Sequence, residues 1–335
     1  MTDGPARYLV TGALGCIGAW TIRALVQDGL PVVALDIGED RHRLTQIMSE
    51  PALESVRFAR GDITDLDAVQ GILDEHDITN VIHLAALQVP FCKADPPLGA
   101  RVNVLGTINI FEAVKARRER AVQMAPIVYT SSIGMFSGDD VDPATGRLTA
   151  TAPAHPLNHY GVFKQANEGN ARVYWLDDGI ASIGVRPMTV YGVGRDQGMT
   201  SGPTKAIVAA VLGRAYEVPF RGPTLFQYAD DVARILLLAS RSSAGGASVF
   251  NLSGSPADDR RIVGAIDAAV PGAGSLISFA DVELPFPTDI DSDGLETLGP
   301  IPVTPFDEGV RRSVAIYRTL QSEGRLRAGD HGLDP

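Results

Sequence analysis

Three side chains near the middle of the sequence have the types and the order needed to draw a proton from an alcohol. Tyr160 and Lys164 stand four residues apart, so on a helix the phenol and the ammonium face the same space. A phenol with its ordinary pKa near 10 is a poor base at neutral pH. Bringing it to about 7 takes roughly 4 kcal/mol of differential stabilisation, which a lysine cation and a cationic cofactor ring together can supply. Ser131 and Ser132 follow the apolar run Ile127-Val128-Tyr129-Thr130 and offer a hydroxyl to hold and polarise the reacting oxygen. An isolated Tyr-x-x-x-Lys is equally well explained by two exposed helix residues. Its meaning depends on what positions it.

What positions it begins at the first strand. Tyr8-Leu9-Val10-Thr11 runs into Gly12, Gly15 and Gly18, and then into helix-period apolar residues from Ala19 to Gln27. Gly12 lets the chain leave the strand sharply, Gly15 lets the backbone approach a pyrophosphate, and Gly18 lets the helix pack close to the strand. The helix N-terminus then turns its free N–H groups and positive dipole end toward the phosphates. A second apolar run, Val32 to Leu35, ends in Asp36, at the place where an acidic residue suits the ribose hydroxyls of an adenosine. Arg41 and Arg43 come too late after it to sit beside a 2′-phosphate, so the expected cofactor is NAD rather than NADP.

The chain then alternates. Val56 to Phe58 reads as a third strand leading to Gly61-Asp62-Ile63-Thr64, where Asp62 suits either an adenine amino group or a cap for the helix near Leu66. Val81 to Leu84 reads as a fourth strand, with Ala85 and Ala86 small enough for a dinucleotide to approach. His83 within it reads as a core histidine. A helix is expected from about Leu98 to Arg118, interrupted by Asn103 and Gly106, before the fifth strand at Ile127. The loop from about Ser137 to Asn158, roughly 20 residues, is long enough to form a lip over a site. Five strand–helix alternations predict an α/β fold, a doubly wound parallel sheet of Rossmann type. The expected division is 1–187 with 226–255 for the cofactor, and 188–225 with 256–330 as a smaller substrate lobe. That lobe carries helices near Lys205 to Gly213 and Asp307 to Ser322, and an acidic stretch from Asp281 to Glu296.

Composition sets the class. The chain has 335 residues, 45% apolar and 21% charged, with a net charge of −11. Such a balance argues against nucleic-acid or anionic-membrane partners, which demand a basic face. Two cysteines, Cys16 and Cys92, leave no disulfide framework. Residues 1–7 lack an apolar signal core and no run reaches the length of a membrane span, so a cytoplasmic protein is expected.

Taken together the motifs resemble an extended short-chain dehydrogenase/reductase, the NAD-dependent epimerase/dehydratase family, over about Tyr8 to Ala239. The carriers are the glycine turn, Asp36, Gly61-Asp62-Ile63-Thr64 and His83-Leu84-Ala85-Ala86. Asn103-Val104-Leu105-Gly106-Thr107, Thr130-Ser131-Ser132, Tyr160 with Lys164, and Arg186-Pro187-Met188-Thr189-Val190-Tyr191-Gly192 complete them. The resemblance implies Tyr160 as catalytic base or acid and Lys164 as a ligand of the nicotinamide ribose that also lowers the tyrosine pKa. Ser132, in preference to its neighbour Ser131, would polarise the reacting oxygen, and Asn103 would have a structural and proton-relay role. Cofactor contacts would come from Gly12, Gly15, Cys16, Ile17, Gly18, Asp36, Asp62, Ile63, Leu84, Ala85, Ala86, Tyr160, Lys164 and Pro187. No metal is expected. The helices near Leu98 and Tyr160 would pair with a second copy into a homodimer.

Departures from the family pattern narrow the reaction. Ile133-Gly134 stand where dehydratases carry an Asp-Glu pair, so elimination lacks its acid and base. Thr189 and Thr224 stand where nucleotide-sugar epimerases usually have an Asn and a nearby Arg serving the diphosphate, and Arg195 and Arg221 are not in register with the latter. The first expectation is therefore NAD-dependent oxidation of a hydroxyl on a small sugar, sugar acid or hydroxy acid. A nucleotide-sugar epimerase is the alternative, and a non-catalytic NAD-binding regulator a further one.

Overall fold

The computed structural model describes residues 6–333. Its strands are β1 (Tyr8–Thr11), β2 (Val32–Asp36), β3 (Arg57–Arg60), β4 (Asn80–His83), β5 (Ile127–Thr130) and β6 (Ser182–Arg186). After these come β7 (Thr189–Tyr191), β8 (Tyr216–Val218), β9 (Thr224–Tyr228), β10 (Ala247–Asn251), β11 (Ser255–Ala257) and β12 (Ile277–Phe279). Seven of them form one parallel sheet in the order β10-β6-β5-β4-β1-β2-β3. The order reverses between β1 and β4, and a sheet of this kind takes its ligand in the crevice beyond the strand ends at that reversal.

Burial explains why the strands read as unbroken apolar runs. Along β1, Leu9 packs with Val33, Leu35 and Val81 on one face, while Tyr8 and Val10 pack with Trp20, Ile22 and Leu236 on the other. Side chains alternate across a strand, so a sheet covered on both faces wants apolar residues at every position. Helices Cys16–Gln27 and Ala229–Ser240 cover one face together, and helices Leu66–Glu75 and Gly106–Glu119 the other.

Boundaries differ by a few residues from the sequence pattern where capping or pairing decides them. The first helix starts at Cys16 rather than Ala19, β3 runs later than Val56–Phe58, and β4 is Asn80–His83 rather than Val81–Leu84. The helix expected from about Leu98 to Arg118 spans Pro96–Ala100, a π-helical turn at Arg101–Leu105 and Gly106–Glu119 without a break, and a separate short helix, Val89–Ala94, precedes it. Pro96 and Pro97 force the restart, with Asp95 capping it by accepting from the Leu98 N–H at 3.0 Å. The π turn holds Asn103 buried at its centre. The remaining strands form two small sheets, β11-β9-β7 and β12-β8.

Helix His159–Asp178 presents Tyr160, Lys164 and Glu168 one turn apart. Its register is held by Arg186 at the end of β6. That guanidinium grips Glu168 through both carboxylate oxygens at 2.6 and 2.7 Å, donates to the Ala150 carbonyl and to Asn251 Oδ1, and lies over the Phe136 ring. Both side chains are almost entirely enclosed. Removing one partner of a buried pair leaves the other charge uncompensated, so Arg186→Ala should lose about 3–5 kcal/mol of unfolding free energy. Urea titration measures this; a loss under about 1 kcal/mol would show that the pair is not what holds the helix.

Candidate active site

The turn after β1 has no room for side chains. Gly12 has φ +65°, and a Cβ there would stand 2.6 Å from the Ala85 amide nitrogen; one on Gly18 would stand 2.2 Å from the Gly12 carbonyl oxygen. The backbone after β4, Leu84-Ala85-Ala86, therefore lies directly against the turn, held there by Leu84 and Ala85 N–H groups donating to Thr11 Oγ1 at 3.2 Å. Gly15 caps the helix without a side chain, and the first intrahelical bond is from Ala19 N–H to Gly15, leaving the N–H groups of Cys16 and Ile17 ahead of it.

Asp36 ends β2 with its carboxylate already oriented, Oδ2 accepting from Leu14 N–H at 2.9 Å and Oδ1 from Gly38 N–H at 3.0 Å. The three arginines around it are engaged elsewhere. Arg43 bonds Asp196 and the Leu14 carbonyl, Arg41 lies 3.6 Å from the Phe58 ring centroid, and Arg60 pairs with Glu39. A carboxylate without a free cation beside it accepts ribose hydroxyls and repels a 2′-phosphate. Asp62 is exposed and folds back on the Thr64 N–H; the helix cap belongs to Asp65, which accepts from Ala68 N–H. Ile63 is buried, and its carbonyl accepts from Asn109 Nδ2 at 2.9 Å.

Beyond the ends of β4 and β5 the catalytic candidates meet. Ser132 Oγ accepts from Gly134 N–H at 3.0 Å and stands beside the Tyr160 phenol, whose ionised form it favours. Ser131 is buried and donates to Glu168, so the two serines divide, one structural and one facing the phenol. Lys164 Nζ donates to the Thr130 carbonyl at 2.6 Å and lies 5.6 Å from the Tyr160 ring centroid. Burial drives its pKa down to about 8. Tyr160 differs from the simple expectation: burial raises its pKa, and the groups that favour the phenolate are Ser132 and the Arg195 cation. Lys164 aims its ammonium at a backbone carbonyl instead of at the phenol oxygen.

The other candidates occupy supporting positions. Asn103 clamps the loop after β4, accepting from Leu87 N–H at 2.7 Å and donating to the Leu87 carbonyl at 2.9 Å and toward Cys92 Sγ at 3.4 Å. Its amide is thus committed away from Tyr160 and Lys164. Pro187 accepts at its carbonyl from Ile133 N–H at 3.0 Å, fixing the turn that holds Ser132. His83 sits between Thr11 Oγ1 at 2.7 Å and Thr107 Oγ1 at 3.0 Å, and burial pushes its pKa down to about 3, so it is a neutral core residue. Thr189 and Thr224 are buried and hydrogen-bonded to each other at 3.2 Å. Among the described residues no His, Cys, Asp and Glu cluster could hold a metal ion, and no helix is long and apolar enough to cross a membrane.

Four residues around the site carry no sequence motif: Glu168, Gln88, Arg195 and Phe286. Glu168 continues the Tyr160–Lys164 face by one turn and is legible from spacing alone. Phe286 comes from the acidic stretch and lies beside Gly134 next to the Tyr160 ring. The loop at 137–158 meets that stretch through the Leu148–Ile290 bridge and the Arg147–Asp289 pair at 3.1 Å.

A family model described as the NAD dependent epimerase/dehydratase family matches residues 8–253. A UDP-glucose 4-epimerase of Mycolicibacterium smegmatis is 31% identical over 323 residues, 93% of this chain and 98% of that protein. Among solved structures, a UDP-glucose 4-epimerase from Thermus thermophilus in complex with NAD is 26% identical with a TM-score of 0.75, covering 93% of this chain and 99% of that one. A partial consensus L-threonine 3-dehydrogenase superposes with a TM-score of 0.80 at 21% identity, covering 93% of this chain and 99% of that one, a likeness of fold.

The buried lysine makes stability depend on pH. Its folded pKa of about 8 lies below the ordinary 10.5, so between those values the unfolded chain binds more protons and stability rises with pH. The destabilisation is complete below about pH 8 and is relieved through that window. Relative to Lys164→Met, the wild-type protein should therefore gain on the order of 1–3 kcal/mol between pH 8 and 10.5. Denaturant titrations across this range check it, and a pH-independent difference between the two proteins would refute it.

Proposed function

The chain belongs to the NAD dependent epimerase/dehydratase family, and from that premise we propose that it is a sugar epimerase acting by reversible oxidation of one substrate hydroxyl. The observation that carries the chemistry is the Ser132 hydroxyl standing beside the Tyr160 phenol, with Lys164 one helical turn further on. The residues present fit NAD, since two positions of the turn exclude any Cβ and Asp36 is set without a free cation beside it. Backbone N–H groups at Cys16 and Ile17 would hold the pyrophosphate, Gly15 letting it approach closely and Gly12 and Gly18 keeping the turn tight. Asp36 would take the adenosine ribose, Asp62 and Ile63 would flank the adenine, and Leu84, Ala85, Ala86 and Pro187 would line the remainder. Lys164 would bind the nicotinamide ribose.

NAD, when bound, supplies the hydride acceptor and a cationic ring that favours the phenolate. Ser132 fixes the substrate oxygen, and Tyr160 takes its proton as the hydroxyl becomes a carbonyl and returns one when the carbonyl is reduced again. Asn103 acts from behind by holding the Leu87 loop. Ile133 and Gly134 carry no titratable group, so elimination is not part of this reading.

The likeness to a UDP-glucose 4-epimerase along nearly the whole of both chains moves the weight from net dehydrogenation, the first expectation, to epimerisation of a nucleotide sugar. One observation favours the dehydrogenase as a second reading. Thr189 and Thr224 satisfy each other instead of offering charge to a diphosphate. The division of the chain proposed from sequence, 1–187 with 226–255 against 188–225 with 256–330, would assign Tyr160 and Thr189 to opposite sides of one cleft.

Incubating the protein with NAD and UDP-glucose, free sugars and sugar acids separates the readings. Epimerisation gives a stereochemically inverted product without net NADH; stoichiometric NADH would favour the second. Tyr160→Phe should lower kcat by about 10²–10⁴ and change NAD affinity less than about threefold. Retained turnover would remove Tyr160 from the mechanism.

We also propose a homodimer. Leu98, Leu105, Val162, Val173 and Leu176 stand exposed on the helical segments around Leu98 to Glu119 and His159–Asp178. Large apolar side chains exposed together on neighbouring helices suit burial by a partner. Light scattering at micromolar concentration should give twice the mass of the 35.5 kDa chain, and Val173→Asp should reduce it to a single chain's; a monomeric wild type would overturn the dimer.

A further inference from the structure

After the helix Phe306–Ser322 the chain turns back toward the segment that follows Asp36. Gly324, at φ +67°, ends the helix, and the Leu326 N–H donates to the Leu320 carbonyl at 3.1 Å. Arg325 then donates to the Thr45 carbonyl, on the helix His42–Ile47. Leu326 and Leu333 pack on the main core, and Arg214 holds the Leu333 carbonyl at 2.8 Å. Arg43, on the same short helix as Thr45, donates to the Leu14 carbonyl at 2.8 Å, and the Leu14 N–H holds Asp36. Residues 324–333 are thus tied through that helix to the Asp36 carboxylate.

His331 is the residue on which this segment closes. It ends a one-turn helix, Gly329–His331, and is 1% exposed. The Tyr317 ring stands edge-on to it, with centroids 5.5 Å apart. Both ring nitrogens are buried, and neither has a hydrogen-bond partner among the described residues. Lys205, on the helix Gly202–Leu212, comes within 3.2 Å of where a Cβ on Gly332 would stand. The charges that act on the ring are Asp196 and Asp330, which favour its protonation, and His42 and Lys205, which oppose it. Burial outweighs them and holds the pKa below its ordinary 6.5. A charged imidazole here has two N–H donors and an acceptor for neither, a costly state for a buried group. Released into water, the same ring satisfies both nitrogens in either form.

We propose that residues 324–333 form a strap, closed against the helix His42–Ile47 while His331 is neutral and released when that ring takes a proton, so that acid loosens the NAD site. The released ring keeps its ordinary affinity for protons and the docked ring has a weaker one. Closure is therefore complete above about pH 6.5 and weakens as the pH falls below it. Each pH unit below that value shifts the closing equilibrium by at most about tenfold. His42 acts in the opposite sense: Asp196 and Asp40 raise its pKa, so its ties are lost as the pH rises. Loosening in acid belongs to His331.

Hydrogen exchange and NAD titration together test the strap. In wild type the protection of the Leu326, His331 and Leu333 amides, corrected for intrinsic exchange, should fall by up to about tenfold between pH 7.5 and 5.5. Amides inside Phe306–Ser322 should keep theirs. His331→Leu, which fills the site without a charge, should hold the protection of the segment flat over that range. Titrated calorimetrically, NAD should bind wild type at least about twofold more weakly at pH 5.5 than at 7.5, and His331→Leu equally at both. Arg325→Gln keeps the ring and cuts the link to Thr45, so at pH 7.5 it should bind NAD more than about twofold more weakly than wild type. It also guards against a leucine variant that fails to fold. Unchanged protection in wild type, or an equal loss in His331→Leu, would overturn the strap. Acid release with the same NAD affinity in both proteins, or an Arg325→Gln variant that binds NAD as wild type does, would overturn its tie to the NAD site. Binding and exchange are read without turnover, so the outcome does not depend on whether the reaction is epimerisation or dehydrogenation.

Discussion

The grip of Arg186 on Glu168 joins two strands to the helix that bears Tyr160 and Lys164. β6 brings Arg186 to its carboxyl end, and the same carboxylate receives the Ser131 hydroxyl at the end of β5. Because the two oxygens of Glu168 are held by two guanidinium nitrogens, the helix can neither slide nor rotate without leaving a buried charge unpaired. Tyr160 and Lys164, two turns and one turn before Glu168, inherit that register. Ser132, one residue beyond the tethered Ser131, is thereby set against the phenol.

The electrostatics of the site follow from its burial. Lys164 has lost most of its water and has a backbone carbonyl in return, and the loss lowers its pKa toward the working range. The phenol moves upward for the same reason, and a buried cation has greater influence on it there than in water. Arg195 is the cation with that influence. Its charge reaches the phenol from outside the strand–helix framework, on a turn just past β7.

That turn is anchored to the cofactor side. Arg43 and His42, just past the strand that ends in Asp36, converge on Asp196, and Arg43 also bonds the Gly194 and Leu14 carbonyls. His42 has its pKa raised by the carboxylates of Asp196 and Asp40. One cluster therefore ties the glycine turn, the segment after Asp36 and the turn bearing Arg195 into a single arrangement. The adenosine end and the surroundings of Tyr160 are mechanically linked through it.

The glycine turn, Asp36 and the Tyr160–Lys164 pair are legible in the sequence because each depends on neighbours within a few residues: a turn, a strand end, a helical face. The parallel sheet is legible because unbroken apolar runs are required when both faces are covered. The helix near Asn103 is legible from its apolar spacing but the π turn within it is not, since a π turn leaves no mark in apolar periodicity and depends on where the side chain of Asn103 finds its partners. The neutrality of His83 matches its reading as a core residue. The direction of the Tyr160 shift is not readable, because burial sets it, and how far the phenol is enclosed depends on segments far along the chain. Local pattern by itself determined the fold and the three candidate residues Ser132, Tyr160 and Lys164, since those patterns are short in sequence. The pairings of Arg186 with Glu168, of Asp196 with Arg43 and of Thr189 with Thr224 were decided only by tertiary structure, because each joins segments that become neighbours only when the chain closes on its own core.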